Sequence, residues 1–250
     1  MKIRILGCGG SFGSPLAWQR SGKIDINNKH NFRTRSSVLI KENNTTILID
    51  TSPDLRQQLY DAKCTNIDAV LFTHHHSDHV SGLPDMRAIS LINNKIIPAY
   101  MPLETQKKIL NHYKYIFEGD IDYSPFMDVI NLEDNFKINN LNVNTFKHNH
   151  GSIDVQTYRI GNFAYSTDIK KFYHNDVDKL KNLDLWIVGL LRQDSHPSHG
   201  GFDEIMEYVN YIKPKKTIFT HMTALVDEQE LLKRCPFNIF PAYDGLEINI

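Results

Sequence analysis

Short apolar runs rich in β-branched residues recur along the chain, each ended by a turn residue or a polar cluster. Such runs predict strands over 2–6, 37–41, 45–50 and 69–73 in the first third of the chain. Further runs predict strands over 96–100, 142–147, 155–160, 163–166, 185–189, 217–220 and 246–250. Asn44 marks a hairpin between the second and third, and Gly161-Asn162 a tight hairpin later on. Between the strands lie helical patterns over 53–62, 83–92, 103–117, 202–212 and 227–234. The first has Ser52 placed as an N-cap and Pro53 at its first position. The fourth carries the amphipathic spacing Ile205, Met206, Val209, Ile212. Hairpins mixed with isolated helices do not form a repeating βαβ chain. They predict an α/β architecture of two mixed sheets packed face to face, with helices outside.

Composition sharpens this picture. The chain has 250 residues, 41% of them hydrophobic, with no linker, low-complexity run or repeat, so one domain over 1–250 is expected. Net charge is −1, which leaves no broad basic field to gather nucleic acid. No apolar run reaches membrane-spanning length, and the opening strand is too soon broken for a signal segment. Cys8, Cys64 and Cys235 are odd in number and far apart, which argues against a disulfide framework. A cytoplasmic protein with reduced thiols is expected.

The chemistry concentrates at strand ends. Asp50, the run His74–His79, Asp168 and His221 each follow an apolar strand, where a rigid sheet fixes the backbone and a loop frees the side chain. Residues 73–79 read Thr-His-His-His-Ser-Asp-His. Imidazole and carboxylate together suit zinc, iron or manganese. In an extended segment His74 and His76 share one side and thus one ion, while Asp78 and His79 are placed for a second. Nine of the twelve histidines fall in the clusters 74–79, 148–150, 196–199 and 221. This inventory exceeds the four ligands of a closed structural zinc and suits two ions roughly 3.5–4 Å apart.

His74-x-His76-x-Asp78-His79, followed by His150, Asp168 and His221, resembles the metallo-β-lactamase-fold hydrolases in order and spacing over nearly the whole chain. The resemblance implies an αββα sandwich with the site at one edge between the sheets. It implies that His74, His76 and His150 bind one divalent ion, Zn2+ or Mn2+, and that Asp78, His79 and His221 bind a second. Asp168 then bridges the two, and Asp50 corresponds to an aspartate that supports a ligand histidine. Gly7-Cys8-Gly9-Gly10-Ser11-Phe12-Gly13-Ser14-Pro15, Arg33-Thr34-Arg35-Ser36-Ser37, His196-Pro197-Ser198-His199 and Ala242-Tyr243-Asp244-Gly245-Leu246 go together. They look like the branch containing the phosphoribosyl 1,2-cyclic phosphate phosphodiesterase. That enzyme carries a cysteine-rich zinc insert near its N-terminus, whereas residues 18–31 here have no cysteine.

The resemblance implies a phosphodiesterase acting on a small cyclic or nucleotide-like phosphodiester, with Asp78 and His199 as catalytic candidates and His199 as the general acid. Arg33 and Arg35 are candidates to clamp phosphate bidentately, and His196 to position substrate, although Pro197 equally fits a plain turn. His148, two residues before His150, is either a partner of the ligands or an ordinary strand histidine. His75 should face away from His74 and His76. The glycine-rich loop fails the dinucleotide pattern at Phe12, and Cys8 reads as packing. Competing activities are a thioester or lactone hydrolase, a tRNA 3′-processing endonuclease, and a weakly catalytic accessory protein like the pyrroloquinoline-quinone biosynthesis protein B. The endonuclease's basic arm is missing here, and a homodimer is what the family resemblance implies.

Overall fold

A computed structural model describes residues 1–18 and 23–250. The first sheet is built from Lys2–Gly7 (β1), Ser37–Glu42 (β2), Thr45–Ile49 (β3), Ala69–Leu71 (β4), Ile97–Met101 (β5), Met127–Asn131 (β6) and Glu247–Asn249 (β15). Its order is β15-β1-β2-β3-β4-β5-β6, antiparallel as far as β3 and parallel from there. The second sheet holds Asn135–Ile138 (β7), Leu141–His150 (β8), Ile153–Ile160 (β9), Phe163–Ser166 (β10), Lys171–Phe172 (β11), Leu185–Gly189 (β12), Lys216–Thr220 (β13) and Ile239–Pro241 (β14). Its order is β11-β8-β9-β10-β12-β13-β14, with β7 on β8, and it too changes from antiparallel to parallel at its middle. The two mixed sheets and their flanking helices match the expected architecture.

Alternation along the first sheet shows why it is buried on both faces. Ile3, Ile5, Val38, Ile40, Ile47, Ile49, Ala69 and Leu71 face the second sheet in the main core. Leu6, Leu39, Leu48 and Val70 face the other way, into a second core. That core is closed by Leu55 and Leu59 of Leu55–Asp61 (α1), Met86 and Ile89 of Met86–Asn93 (α3), and Ile109 and Ile116 of Leu103–Glu118 (α4). Phe202–Ile212 (α5) covers the second sheet with Phe202, Ile205, Val209 and Ile212, the stripe its spacing predicts apart from the half-buried Met206.

Some boundaries differ from expectation. α1 begins at Leu55 with Asp54 as its N-cap, so Ser52 and Pro53 form the turn before it, and Ser52 Oγ accepts from the Asp54 amide. The edge strands β6, β7, β11 and β14 are too short or too interrupted by polar residues to stand out as runs. The motif itself breaks into helix at Ser77–Val80 (α2).

Close packing holds α2 in place. The Thr51 amide donates to the His79 carbonyl and the Gly82 amide to the Thr51 carbonyl, at 2.8 and 3.0 Å. A Cβ on Gly82 would lie 2.1 Å from the Ser52 carbonyl oxygen and 2.8 Å from Leu55 Cβ. Gly82→Ala is therefore expected to cost about 1–3 kcal/mol by overpacking. Urea unfolding measures this, and a variant as stable as the parent contradicts the contact.

Candidate metal centre

The chain leaves β4 through Phe72 and Thr73 and enters the motif still extended; His76 (φ −63°, ψ 148°) is the last extended residue before α2. Extended geometry sets His74 and His76 on one side and His75 on the other. The helical turn then carries Asp78 and His79 round to the same cluster. Asp50 follows β3, Asp168 follows β10 and His221 follows β13, all with left-handed backbones (φ 61°, 51° and 58°). His150 is the last residue of β8. Ligand-type atoms of His74, His76 and His150 lie within 4.8 Å of one another, and so do those of Asp78, His79 and His221. Asp168 groups with His74 and His79 on one side, and with His150 and His199 on the other.

Hydrogen bonds on the outer side of each ring settle which nitrogen faces the cluster. Asp50 Oδ2 accepts from His79 Nδ1 at 2.7 Å, which leaves the buried His79 Nε2 without a hydrogen-bond partner. The Ser198 carbonyl accepts from His150 Nδ1 at 2.8 Å. Thr73 Oγ1 donates to Asp50 Oδ2, so it accepts from His74 Nδ1 at 3.0 Å. In all three rings Nε2 is the nitrogen left facing inward, the arrangement of metal-ligating histidines held by an outer partner. The residues present therefore fit a divalent metal ion. Thr73 and Ser198 were not expected in the site. A hydroxyl directly before His74 is a faint signal, while a carbonyl contribution leaves none in sequence.

Electrostatics point the same way. Burial opposes charge at every one of these groups. At His79 that penalty is overridden by Asp78, Asp50 and Asp168, which hold its pKa well above the ordinary value. His221 is raised against its burial by Asp168 and Asp78. Asp168, despite burial, is held well below the carboxylate range by His221 and His79, and Asp78 is lowered chiefly by His79. Burial dominates at His74 and His76 and lowers both. A cluster of carboxylates and lone pairs with this balance takes up positive charge, from protons or from cations.

His148 is fully buried, with Nε2 donating to the Thr167 carbonyl at 2.8 Å and Nδ1 3.0 Å from Thr157 Oγ1. Burial lowers its pKa to about 4. It thus ties β8 and β9 to the peptide that leads into Asp168, whose Oδ2 also accepts from Thr167 Oγ1 at 2.7 Å.

The remaining candidates divide. His199 is brought into the cluster, its ring centroid 4.5 Å from that of His150 and its Nδ1 3.9 Å from Asp168 Oδ1. Burial, with His221 and His150, lowers its pKa to about 3. His196 shares a tight turn with His199 and bonds Ser198 Oγ at 3.0 Å. Arg33, expected as half of a phosphate clamp, is an internal tie instead: it is 2% exposed and donates to His30, Thr223 and Val226 carbonyls and to Asn31 Oδ1. Arg35 pairs through Nε with Asp54 at 3.0 Å and stays partly exposed beside Gly13. Cys8 is buried, its Sγ 3.3 Å from Asp244 Oδ1, in keeping with a packing role.

Comparison with known proteins bears on this geometry. The model of the Beta-lactamase superfamily domain matches residues 45–222. An octanoyltransferase of Porphyromonas gingivalis is 31% identical over 253 residues, covering 99% of this chain and 51% of its own length. The chain spans about half the length of the curated relatives it matches. Among solved structures, a diphosphatase described as new in the PhnP family aligns with a TM-score of 0.92 at 27% identity, over 100% of this chain and 97% of that one. Zinc-bound PqqB from Methylobacterium extorquens aligns with a TM-score of 0.80 at 18% identity over the whole of both chains, a likeness of fold.

Two outcomes follow from the geometry. Asp50→Asn removes the acceptor that sets the His79 ring, and metal affinity should fall about 10–100-fold in a competition titration against a chelating dye while circular dichroism stays unchanged. In the metal-free protein, raised His79 and His221 contribute stability that is complete below about pH 6.5 and is lost as pH rises through their folded values. The lowered carboxylates contribute fully above about pH 4 and do not change in this window. The melting temperature of chelator-treated protein should therefore drop as pH rises above the ordinary histidine value of about 6.5, and divalent metal should abolish the drop by replacing the protons; a flat profile in metal-free protein contradicts the assignment.

Proposed function

The chain belongs to the beta-lactamase superfamily, and within it we propose a binuclear metal-dependent phosphodiesterase for a small cyclic or nucleotide-like phosphodiester. The observation that carries this reading is the pairing of two ligand triads across Asp168. His74, His76 and His150 would hold one ion and Asp78, His79 and His221 the other, with Asp168 shared between them. Bound zinc or manganese supplies Lewis acidity and an activated water at neutral pH.

The protein's own groups then have defined tasks. Asp50, Thr73 and the Ser198 carbonyl keep the ligand rings in the required tautomer. Arg35, with nitrogens left over from its pair with Asp54, meets the phosphate oxygens. His199 protonates the departing oxygen. Its ring is neutral without substrate, and an anionic phosphate placed against it raises its hold on a proton. His196, turned beside it, borders the same position.

The likeness to about half of an octanoyltransferase favours one second reading, hydrolysis of an acyl thioester. A panel on metal-loaded protein separates the two: bis-p-nitrophenyl phosphate, cyclic nucleotides, a diphosphate-linked ester, a thioester and a lactone. Turnover of phosphodiesters is expected, and turnover of thioester and lactone alone overturns the proposal. His199→Ala should retain its metal and lose about 10²–10⁴-fold in kcat on the diesters; an unchanged rate removes His199 from the acid role.

A further inference from the structure

Two tyrosines of the second sheet stand side by side in the core between the sheets. Tyr158 of β9 and Tyr165 of β10 are partners in the antiparallel register, so their side chains share one face. Both are 0% exposed. The Tyr158 hydroxyl donates to the Phe72 carbonyl at 2.6 Å, which fastens the exit from β4 one residue before Thr73. Next along β10, Ser166 is equally settled: its Oγ accepts from Trp186 Nε1 at 3.1 Å and from Thr157 Oγ1 at 2.9 Å.

Tyr165 differs. Its hydroxyl is buried and has no hydrogen-bond partner among the described residues. The charged groups that act on it belong to the metal centre: Asp50, His79 and Asp168. Burial first, and then the Asp50 carboxylate, push its pKa up, so the hydroxyl keeps its proton at neutral pH and remains a donor. An orphaned buried donor opposes folding, since phenylalanine would fill the same space without it. Such exceptions in a native structure call for an explanation in function or in a bound species.

One acceptor is suited to it. Thr167 lies two positions further along the strand direction, where side chains return to the same face, and stands beside the Tyr165 hydroxyl. Thr167 Oγ1 gives its own proton to Asp168 Oδ2 at 2.7 Å, so towards any other donor it can only accept. Asp168 is the carboxylate common to the ligand groups, with Oδ2 3.2 Å from His79 Nε2 and Oδ1 3.5 Å from His221 Nε2. A donor delivered to Thr167 polarises its hydroxyl and strengthens the bond to Asp168. The other acceptor in the neighbourhood, Asp50, already takes three donors.

We propose that Tyr165 is a positioning residue for the metal centre: its hydroxyl donates to Thr167 Oγ1 in the metal-bound protein, and the relay Tyr165–Thr167–Asp168 fixes the carboxylate shared by the two ions. The second link of this relay is made in the structure and the first is open. The assignment rests on the binuclear reading above and is independent of which bond the enzyme cleaves.

Zinc affinity and thermal unfolding of Tyr165→Phe test it together. Chelator-treated Tyr165→Phe should melt at or above the temperature of the parent, because the change removes only an unpaired hydroxyl. Its affinity for Zn2+, in competition with a chelating dye, should fall about tenfold, as for the loss of a group behind a ligand. A purely structural role gives the reverse pattern, with lower melting in the absence of zinc and unchanged affinity. Thr167→Val breaks the relay at its middle, and adding Tyr165→Phe to it should weaken zinc binding no further. Parental zinc affinity in Tyr165→Phe, a lowered melting temperature of that variant after chelator treatment, or additive losses in the double variant overturn the proposal. A parent protein that binds no zinc overturns the binuclear reading itself, and the relay falls with it.

Discussion

The centre depends on one buried carboxylate. Asp50 is wholly inside the protein, where an ionised group is costly unless it is paired and hydrogen-bonded. Three donors converge on it: the Thr73 amide, the Thr73 hydroxyl and His79 Nδ1. Each of these contacts does more than satisfy Asp50. The amide bond fixes the exit from β4, the hydroxyl bond turns the Thr73 oxygen to accept from His74, and the imidazole bond turns His79 Nε2 inward. One carboxylate at the end of β3 thereby sets two ligand-type rings, His74 and His79, in the segment that follows the neighbouring strand β4, and the parallel pairing of β3 with β4 brings them within reach.

The two sheets supply this geometry twice. Each runs antiparallel on one side and parallel on the other, and the functional groups leave the C-terminal ends of the parallel strands: Asp50 and the motif from the first sheet, Asp168 and His221 from the second. Loops at such ends converge where the sheets meet. Three of these residues take left-handed backbones, each at a cost of about 1–2 kcal/mol for a residue with a side chain. The bonds that hold them, such as that from His148 to the Thr167 carbonyl, offset this strain by fixing the peptide that leads into the turn.

Arginine placement shows how proximity in sequence misleads about role. Arg33 and Arg35 are two residues apart on an extended segment, and alike in chemistry. Arg33 is enclosed by carbonyls from the chain after β13, so its charge organises the protein interior, while Arg35 keeps free nitrogens near the glycine-rich loop. His75 is a similar case. Lying between two ligand-type histidines, it belongs to a different surface because an extended chain alternates its sides.

The sequence by itself determined the local facts. Continuous apolar runs such as Ile47-Leu48-Ile49 marked the buried strands, because a sheet covered on both faces buries successive side chains. Spacing in His74-x-His76-x-Asp78-His79 and the strand-end positions of Asp50, Asp168 and His221 marked the ligand-type residues, because backbone period and chain direction are short-range properties. Tertiary structure alone decided the rest. The edge strands β6, β7, β11 and β14 exist because neighbours offer them backbone hydrogen bonds, a stabilisation independent of their own side chains. The tautomer of each imidazole, the burial of Arg33 and the setting of the Tyr165 hydroxyl all arise from groups far apart in the chain. A carbonyl such as that of Ser198 acts through where it is placed, and its side chain gives no sign of that in the sequence.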